Sequence, residues 1–405
     1  MLLNRERASA IMSAQGLEAL VASTAENVTY ATGYANWPIY TFKDPEAYAV
    51  VPEHGDPVLV VPVSAVDYLA ETPVNVSRIY TYGTYHVMRN FDAVLEGAEA
   101  QVLEIRERAS HHPDALTALT HVLTDLEVGR TIGVDERGIP LSQWKALLKA
   151  LPGRTVAEAH DVFRTIRRVK TPDEIDRLRM CVGAVEAGMM AAFQHAASGT
   201  TEAELEATFR AVVGSRGVTP GHYETSAGTR SSGSFPPSPE YRLKRGDIIR
   251  SDCGGRYRGY WADTGRTAVL GEPSAKLARY YEALRVGIAS VLATIKPGVQ
   301  VAELYKVGVE AVRTSGIPHY RRHHVGHAIG LEFYEAPVLT DFGHDERPVG
   351  LKDVLEPGMV INIELPYYEL GLGGLQIEDT IVVRPGGYER LTSAGHDLVG
   401  AGTWH

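Results

Sequence analysis

Apolar residues in the first part of the chain form short continuous runs that alternate with stretches of helical periodicity. His54-Gly55-Asp56 separates two of these runs, and its Gly-Asp pair suits a hairpin turn. Strands that interleave with helices are typical of an α/β domain. The pattern predicts strands at 17–22, 47–51, 57–62 and 131–134, and helices at 26–34 and 141–151.

The pattern changes near residue 160, which divides a domain of residues 1–160 from a domain of residues 161–405. In the second domain two capping boxes begin helices, and further helical periodicity follows. Strand-like segments with glycine-rich turns lie between and after these helices, so we predict an α+β domain. The boxes are Thr171–Glu174 and Thr201–Glu204, and the further helices cover 274–295 and 301–314.

Size and composition limit the class of protein. The chain has 405 residues, more than one typical core, with 44% hydrophobic and 22% charged residues, as in ordinary globular proteins. A net charge of −10 argues against a nucleic-acid partner, which needs a basic surface. The chain has neither a signal-peptide pattern nor a run of about 18 apolar residues that could span a bilayer. Because the chain has two cysteines, Cys181 and Cys253, we expect a cytoplasmic protein without disulfides. Because it has no membrane-spanning run, we expect no membrane partner.

Two aspartates flank a predicted hairpin in the second domain. Residues 247–253 and 260–270 are strand-like, and they surround a glycine-rich turn whose tip we place at 257–258. Outward counting from this tip puts Asp252 directly opposite Asp263, on one face of the sheet. Two carboxylates at this spacing repel each other unless one is protonated or a cation lies between them. A pair of turn-flanking aspartates is the alternative interpretation.

The same construction occurs again near the end of the chain. Residues 359–364 and 375–383 are strand-like, and a glycine-rich loop around Gly371 joins them. Outward counting from Gly371 places Glu364 opposite Glu378. Each glutamate lies in an apolar run, and glutamate is rarely buried without a partner. A second acidic pair on apolar strands favours a functional role for both pairs.

His327 lies between the two hairpins in the sequence, with Gly326 before it and Gly330 after it. Small neighbours let the backbone approach a cation closely, although a lone histidine is more often a core residue with hydrogen-bond partners. Beside four carboxylates, a ligand role is favoured. Four carboxylates and one imidazole form a hard site that suits Mn, Co, Fe or Zn.

Five motifs, in order, resemble those of the pita-bread superfamily, which includes prolidase, aminopeptidase P, methionine aminopeptidase and creatinase. The resemblance covers about residues 165–400, and the first domain resembles the creatinase-like accessory domain of the Xaa-Pro peptidase branch. It implies an α/β domain followed by an α+β pita-bread domain. The motifs are Asp252-Cys253-Gly254, Tyr260-Trp261-Ala262-Asp263-Thr264-Gly265-Arg266-Thr267, Gly326-His327-Ala328-Ile329-Gly330, Pro357-Gly358-Met359-Val360 and Ile377-Glu378-Asp379-Thr380.

The resemblance implies two divalent metal ions, with manganese favoured. It makes Glu364 a proton shuttle as well as a ligand, and His323 a catalytic residue that steadies the substrate. A surface histidine in a basic loop is the alternative for His323. Proteins of this type are commonly dimers, so we expect a homodimer that acts on a small peptide or amide. The implied metal ligands are Asp252, Asp263, His327, Glu364 and Glu378.

Three positions depart from the pattern of the Xaa-Pro peptidases. The resemblance predicts histidines at 235 and 334 and an arginine at 376, where this chain has Phe235, Tyr334 and Gln376. These three residues are therefore the candidate substrate-binding residues, with 231–239 as a loop beside the pocket. Neutral drift within one activity is the other interpretation.

Three functions remain open. The leading hypothesis is a dinuclear metallohydrolase of the Xaa-Pro dipeptidase or aminopeptidase type. The second is a hydrolase of a small non-peptide C–N bond, as creatinase and ectoine hydrolase are within the same fold. The third is a non-catalytic pita-bread binding protein, and the complete ligand set argues against it.

Overall fold

The computed structural model describes residues 1–41, 47–341 and 353–402. The chain divides into two units, Met1–Arg167 and Arg168–His405. The division therefore follows Arg167 rather than residue 160. The helix that begins at His160 belongs to the first unit, because the His160 Nδ1 atom lies 2.8 Å from Oδ1 of buried Asp135.

The first unit is built on a seven-stranded mixed sheet in the order β5-β4-β3-β2-β1-β6-β7. The pairs β1–β2 and β2–β3 are antiparallel, and the other pairs are parallel. Its elements are α1 Arg5–Gln15, β1 Ala19–Ala22, α2 Ala25–Thr32, α3 Pro38–Thr41, β2 Tyr48–Pro52, β3 Val58–Pro62, α4 Val66–Glu71, β4 Arg78–Tyr82, α5 Gly97–Arg108, β5 Ser110–His112, α6 Ala115–Asp125, β6 Thr131–Val134, α7 Leu141–Ala150, β7 Thr155–Glu158 and α8 His160–Arg167.

The apolar pattern of this unit matches its observed structure. The strands predicted at 17–22, 47–51, 57–62 and 131–134 are confirmed as β1, β2, β3 and β6, and the predicted helices as α2 and α7. These strands are hydrophobic throughout because helices such as α6 cover the sheet, burying Leu119 and Val122 in a core with Val21 and Val60. The α/β class predicted for this half is confirmed.

The second unit contains four long helices and a nine-stranded sheet. Both predicted capping boxes are present, since Thr171 and Thr201 each accept from the backbone of the glutamate three residues later. Its elements are α9 Pro172–His195, α10 Glu202–Ser215, β8 Thr219–Ala227, β9 Ile248–Tyr257, β10 Tyr260–Val269, α11 Ala275–Thr294, α12 Val301–Thr314, β11 Gly326–Ala328, β12 Glu335–Val338, β13 Val360–Glu364, β14 Tyr367–Glu369, β15 Gly373–Leu375, β16 Glu378–Arg384, β17 Gly387–Arg390 and β18 Val399–Gly400.

The central path of this sheet runs β12-β11-β13-β16-β10-β9-β8, and all its pairings are antiparallel. On β13, Ile361 and Ile363 join the hydrophobic core formed with α11 and α12. Because successive side chains of a strand point to opposite faces, Asn362 and Glu364 lie on the other face. The helices thus fix one face of the sheet and leave the other for polar side chains.

The two predicted hairpins differ in how well their register was predicted. On β13 and β16, Glu364 pairs with Glu378, as predicted. On β9 and β10, Asp252 pairs with Gly265, and Asp263 pairs with Gly254, so direct opposition of the aspartates is wrong.

The turn explains the error in the first hairpin. Arg258 and Gly259 both have positive φ, +46° and +92°, as the two central residues of a tight type I′ turn require. The tip is therefore one residue later than predicted, and the pairing shifts by two. A shift of two preserves the face, so Asp252 and Asp263 remain diagonal neighbours on the same side of the sheet.

None of the helices in the described part of the chain has both the length and the apolar character that crossing a bilayer requires.

Candidate metal centre

The five predicted ligands lie on five neighbouring strands of the large sheet. Two groups of three residues bring their ligand atoms within 4.8 Å of one another, one of His222, Asp252 and Asp263, the other of Asp263, His327 and Glu378. Asp263 belongs to both groups. The predicted ligands are Asp252 on β9, Asp263 on β10, His327 on β11, Glu364 on β13 and Glu378 on β16.

The carboxylates of this cluster differ in their charge environment. Burial raises the pKa of Glu378 well above its ordinary value, and repulsion from Asp263 and Asp252 raises it further. Burial also opposes ionisation of Asp252, but the hydrogen bond from His222 and the positive charge of that residue outweigh it, so the pKa of Asp252 is lowered. The cluster holds more negative charge than its own side chains neutralise.

One buried atom of the cluster lacks the partner that a cation would supply. Oδ1 of Asp263 is buried and accepts no hydrogen bond from the described residues, although His222 Nε2 lies 3.2 Å from it. The Nε2 atom forms its hydrogen bond with Asp252 Oδ1, at 3.1 Å. A buried carboxylate oxygen without a partner is costly, and carboxylate oxygens bind divalent cations. The residues present therefore suit a divalent metal ion.

Glu364 is placed differently from the other acids. Its Oε2 accepts a hydrogen bond from Arg322 Nη2 at 3.1 Å, and its Oε1 lies 3.0 Å from His324 Nδ1. Burial would raise the pKa of Glu364, but the Arg322 guanidinium and the His324 contact hold it below its usual range. Among the described residues, Glu364 belongs to neither group of three, yet it lines the same cavity.

Gln376 contacts the ligands themselves rather than only a substrate pocket. Its Nε2 donates to Asp252 Oδ2 at 2.9 Å and to Glu378 Oε2 at 3.0 Å, and its side chain is fully buried. Its Oε1 accepts from Nη1 of Arg250, another fully buried residue, at 3.1 Å. Where the Xaa-Pro pattern has an arginine, this chain therefore has a neutral amide backed by an arginine on β9.

A cavity of about 370 Å³ opens over the cluster. Tyr334 lines it and stacks on His327, with ring centroids 3.8 Å apart, whereas Phe235 is 46% exposed and packs against Arg230. The predicted loop does reach the cavity, because Ser234 Oγ donates to Glu224 Oε2 at 2.8 Å. The lining residues are His222, Glu224, Asp252, Trp261, Asp263, Phe333, Tyr334, Glu364 and Glu378.

The two adjacent histidines before His327 have different surroundings. His323, the predicted catalytic residue, is exposed and is not part of the described cavity lining. His324 is buried and contacts Glu364. The structure thus brings His324 to the cluster in the position where a group that acts with Glu364 would lie.

Sequence reasoning missed His222, His324, Arg250 and Arg322. The sequence shows the doublet His323-His324, but the resemblance implies a role for His323 alone. Strand alternation could have indicated Arg250, because it lies two residues before Asp252 on the same strand. His222 gives no local signal, since it lies 30 residues before Asp252 in the chain and meets it only through the pairing of β8 with β9.

The α+β fold and its paired acidic hairpins define the class of pita-bread metallohydrolases. The chain belongs to metallopeptidase family M24, which residues 176–385 match, and residues 4–169 match the creatinase/prolidase N-terminal domain. The predicted resemblance and two-domain fold are confirmed. The protein is a metal-dependent hydrolase of C–N bonds, and the hypothesis of a non-catalytic binding protein is set aside.

Relatives and solved structures agree with this family. The chain is 27% identical over 319 residues to an Xaa-Pro dipeptidase of Pyrococcus horikoshii, covering 78% of this chain and 88% of that one. It is 31% identical over 241 residues to an Xaa-Pro dipeptidase of Pyrococcus furiosus, covering 59% and 67%. The crystal structure of the Pyrococcus horikoshii prolidase superposes with a TM-score of 0.74 at 23% identity, covering 98% of this chain and 99% of that one.

Proposed function

We propose that this protein is a dinuclear Xaa-Pro dipeptidase or aminopeptidase. The observation that supports the proposal most strongly is the convergence of Asp252, Asp263, His327 and Glu378 below a cavity that Glu364 also lines. Relatives of 27% and 31% identity are named Xaa-Pro dipeptidases. A cavity of about 370 Å³ falls within the size range of small-molecule sites.

The five predicted ligands would hold two divalent ions, with manganese favoured. Bound at such a site, metal ions polarise a carbonyl and make water a nucleophile at neutral pH. Asp263 would contact both ions, because it belongs to both groups of ligand atoms. Gln376 would keep Asp252 and Glu378 in place through its two amide hydrogen bonds.

The side chains around Glu364 suit proton transfer. We assign to Glu364 the acceptance of a proton from the attacking water and its delivery to the leaving nitrogen. Arg322 and His324 hold its carboxylate in the ionised, accepting form. Tyr334 would donate a hydrogen bond to the substrate from its position over His327, and the aromatic residues Trp261 and Phe333 would exclude water.

A small non-peptide C–N substrate is the second candidate. The observation in its favour is that Tyr334 and Gln376 replace a histidine and an arginine of the Xaa-Pro pattern, and both lie at the cluster. A site that lacks the usual donors holds the usual substrate less firmly. We therefore expect Xaa-Pro dipeptides to be cleaved with kcat/KM below about 10⁴ M⁻¹s⁻¹, the low end of the enzyme range.

The test compares substrates on metal-reconstituted full-length protein. Metal-free protein is loaded with Mn²⁺ or Co²⁺, its ion content is measured, and Xaa-Pro dipeptides, other dipeptides and small amides are assayed in parallel. Metal-dependent release of proline from Xaa-Pro dipeptides, but not of glycine from matched Xaa-Gly dipeptides, supports the proposal. If the metal-loaded protein cleaves a small amide and leaves every dipeptide intact, the result supports the second candidate, a hydrolase of a small non-peptide C–N bond.

Assembly and location are part of the same proposal. We propose a homodimer, by resemblance to the family, which light scattering of the full chain tests through its mass. We also propose a cytoplasmic location, because Cys181 and Cys253 are both free and buried, as in a reducing compartment. Fractionation of cells that express a fusion of the full chain to a fluorescent protein tests that assignment.

A further inference from the structure

His222 lies in the metal cluster although it is not one of the five predicted ligands. It forms a group of potential ligand atoms with Asp252 and Asp263. Its Nε2 atom lies 3.1 Å from Asp252 Oδ1 and 3.2 Å from Asp263 Oδ1. The distances are those of adjacent ligands around one ion, since bonds of about 2.1 Å at near-right angles put their ends about 3 Å apart.

The backbone is shaped to bring this side chain to the site. β8 changes register between Pro220 and Tyr223, so Gly221 and His222 together oppose Gly254 on β9. A bulge of this kind re-aims a side chain, and bulges are frequent beside active sites. Without the extra residue, strand alternation would turn the side chain at this position to the other face.

The neighbours of the imidazole leave room for it and fix its orientation. A Cβ atom on Gly254 would lie 2.5 Å from the Cε1 atom of His222, so the glycine is needed for the ring to fit. Phe333 packs edge-on against the ring, with centroids 4.9 Å apart. The ring is thus held between a strand and an aromatic side chain, with Nε2 toward the two aspartates.

A hydrogen bond from His222 accounts for its contact with Asp252 but not for its contact with Asp263. One Nε2–H bonds to Asp252, and Oδ1 of Asp263 accepts no hydrogen bond within the described structure. A cation bound to Nε2 would satisfy both carboxylates at once. The imidazole of His327 lies in the other group, with Nε2 3.5 Å from Asp263 Oδ2.

We propose that His222 is a metal ligand, so that each of the two ions has one imidazole. The proposal rests on the metal site of the proposed function and not on its substrate. An imidazole on each ion favours Zn²⁺ and Fe²⁺ over Mn²⁺, which prefers oxygen ligands. With His222 as a sixth ligand, the site would shift its preference from Mn²⁺ toward Zn²⁺ or Fe²⁺.

The test compares two substitutions of His222 in the metal-free full chain. His222→Gln keeps an amide N–H near the aspartates but removes the imidazole nitrogen, whereas His222→Ala removes both. His319→Gln is the matched control, because His319 contacts Tyr367 and is not one of the residues lining the described cavity. Circular dichroism of each metal-free protein establishes that it is folded.

Chelator competition gives the affinities for Zn²⁺ and Mn²⁺. We expect both His222 variants to weaken Zn²⁺ binding by more than about 10²-fold. Loss of a group that only supports a ligand costs roughly 10–100-fold. Mn²⁺ affinity should fall less, so the preference for Zn²⁺ shrinks. X-ray absorption of the dizinc protein should show one imidazole per ion in the wild type and one for every two ions in the variants.

Zn²⁺ affinity and imidazole scattering that stay unchanged in folded His222→Gln would overturn the proposal and leave His222 a hydrogen-bonding residue. Wild-type protein that binds no Zn²⁺ would overturn it as well. A dizinc wild type with the expected scattering but no Xaa-Pro hydrolysis would refute the proposed substrate while supporting the ligand assignment.

Discussion

The two acid-bearing hairpins of the site neutralise their carboxylates differently. In the hairpin of β9 and β10, the diagonal pair of Asp252 and Asp263 shares the imidazole of His222, and Asp263 also lies 3.5 Å from His327. In the hairpin of β13 and β16, the directly opposed pair is asymmetric. Glu364 contacts an arginine and a histidine, whereas the hydrogen bonds to Glu378 within the described residues come from side-chain amides. The two arrangements agree with the proposal that both hairpins hold cations, and in the second the low pKa of Glu364 keeps that carboxylate ionised.

Removing one acid from each hairpin gives the largest expected effects. Asp263→Ala should lose both ions, because Asp263 belongs to both groups, and activity should fall beyond the roughly 10–100-fold loss caused by removing a supporting group. Glu378→Ala should lose one ion and keep the other. Elemental analysis after reconstitution measures the difference. Equal metal content in the two variants would show that Asp263 does not bridge.

The partners of Glu364 provide the second test. His324→Ala should lower kcat by about 10²–10³, as loss of one stabilising donor at a reacting group does, with metal content unchanged. His323→Ala is the matched control, since His323 is exposed. A large loss in His323→Ala with full activity in His324→Ala would restore the catalytic role to the residue predicted from the sequence.

The hydrogen bond between Arg250 and Gln376 can be tested by moving the positive charge from position 250 to position 376. Arg250→Leu should lower the free energy of unfolding by about 3 kcal/mol, because it leaves the buried Gln376 amide and the half-buried Asp252 carboxylate without their cationic partner. Adding Gln376→Arg should recover part of this loss, and Gln376→Arg alone should not stabilise. Denaturant unfolding of the four proteins measures the coupling. If the effects of the two substitutions on the free energy of unfolding are additive, Arg250 and position 376 are not energetically coupled.

The last test concerns the pH dependence of the metal-free protein. Burial lowers the pKa of His222, but the charges of Asp263 and Asp252 outweigh it and raise the pKa to about 10. A raised pKa stabilises the folded state fully below the unfolded value near 6.5, and this contribution is lost as the pH rises through about 10. Stability should therefore fall over that range, and less steeply in His222→Gln. If stability falls with pH equally in the wild type and in His222→Gln, the ion pairing of His222 with Asp252 and Asp263 is contradicted.

The hairpins also show how far a sequence predicts such a site. Outward counting located Glu364 opposite Glu378 because β14 and β15 continue the same ladder toward the loop, so the register does not depend on the choice of turn. The first hairpin ends in a two-residue turn, where placing the tip one residue early displaces every pair.

Residues brought in from elsewhere in the chain were harder to predict. The face of Asp263 was predicted despite the register error, because a shift of two preserves the face. His222 could not be predicted in the same way, because its position depends on a bulge opposite Gly254 and on pairing with a distant strand. The identity of the buried member of the His323-His324 doublet depends on how β11 enters the sheet, which local spacing does not specify.

The tight turn at Arg258-Gly259 has a consequence for the order in which the site assembles during folding. A hairpin closed by such a turn forms in about 1–10 μs, whereas contacts between distant segments must first overcome a larger loop-closure entropy. We therefore expect Asp252 and Asp263 to meet before His327 and Glu378 join them. In refolding, their repulsion opposes this early step, so a divalent cation is expected to accelerate folding by acting on a half-built site.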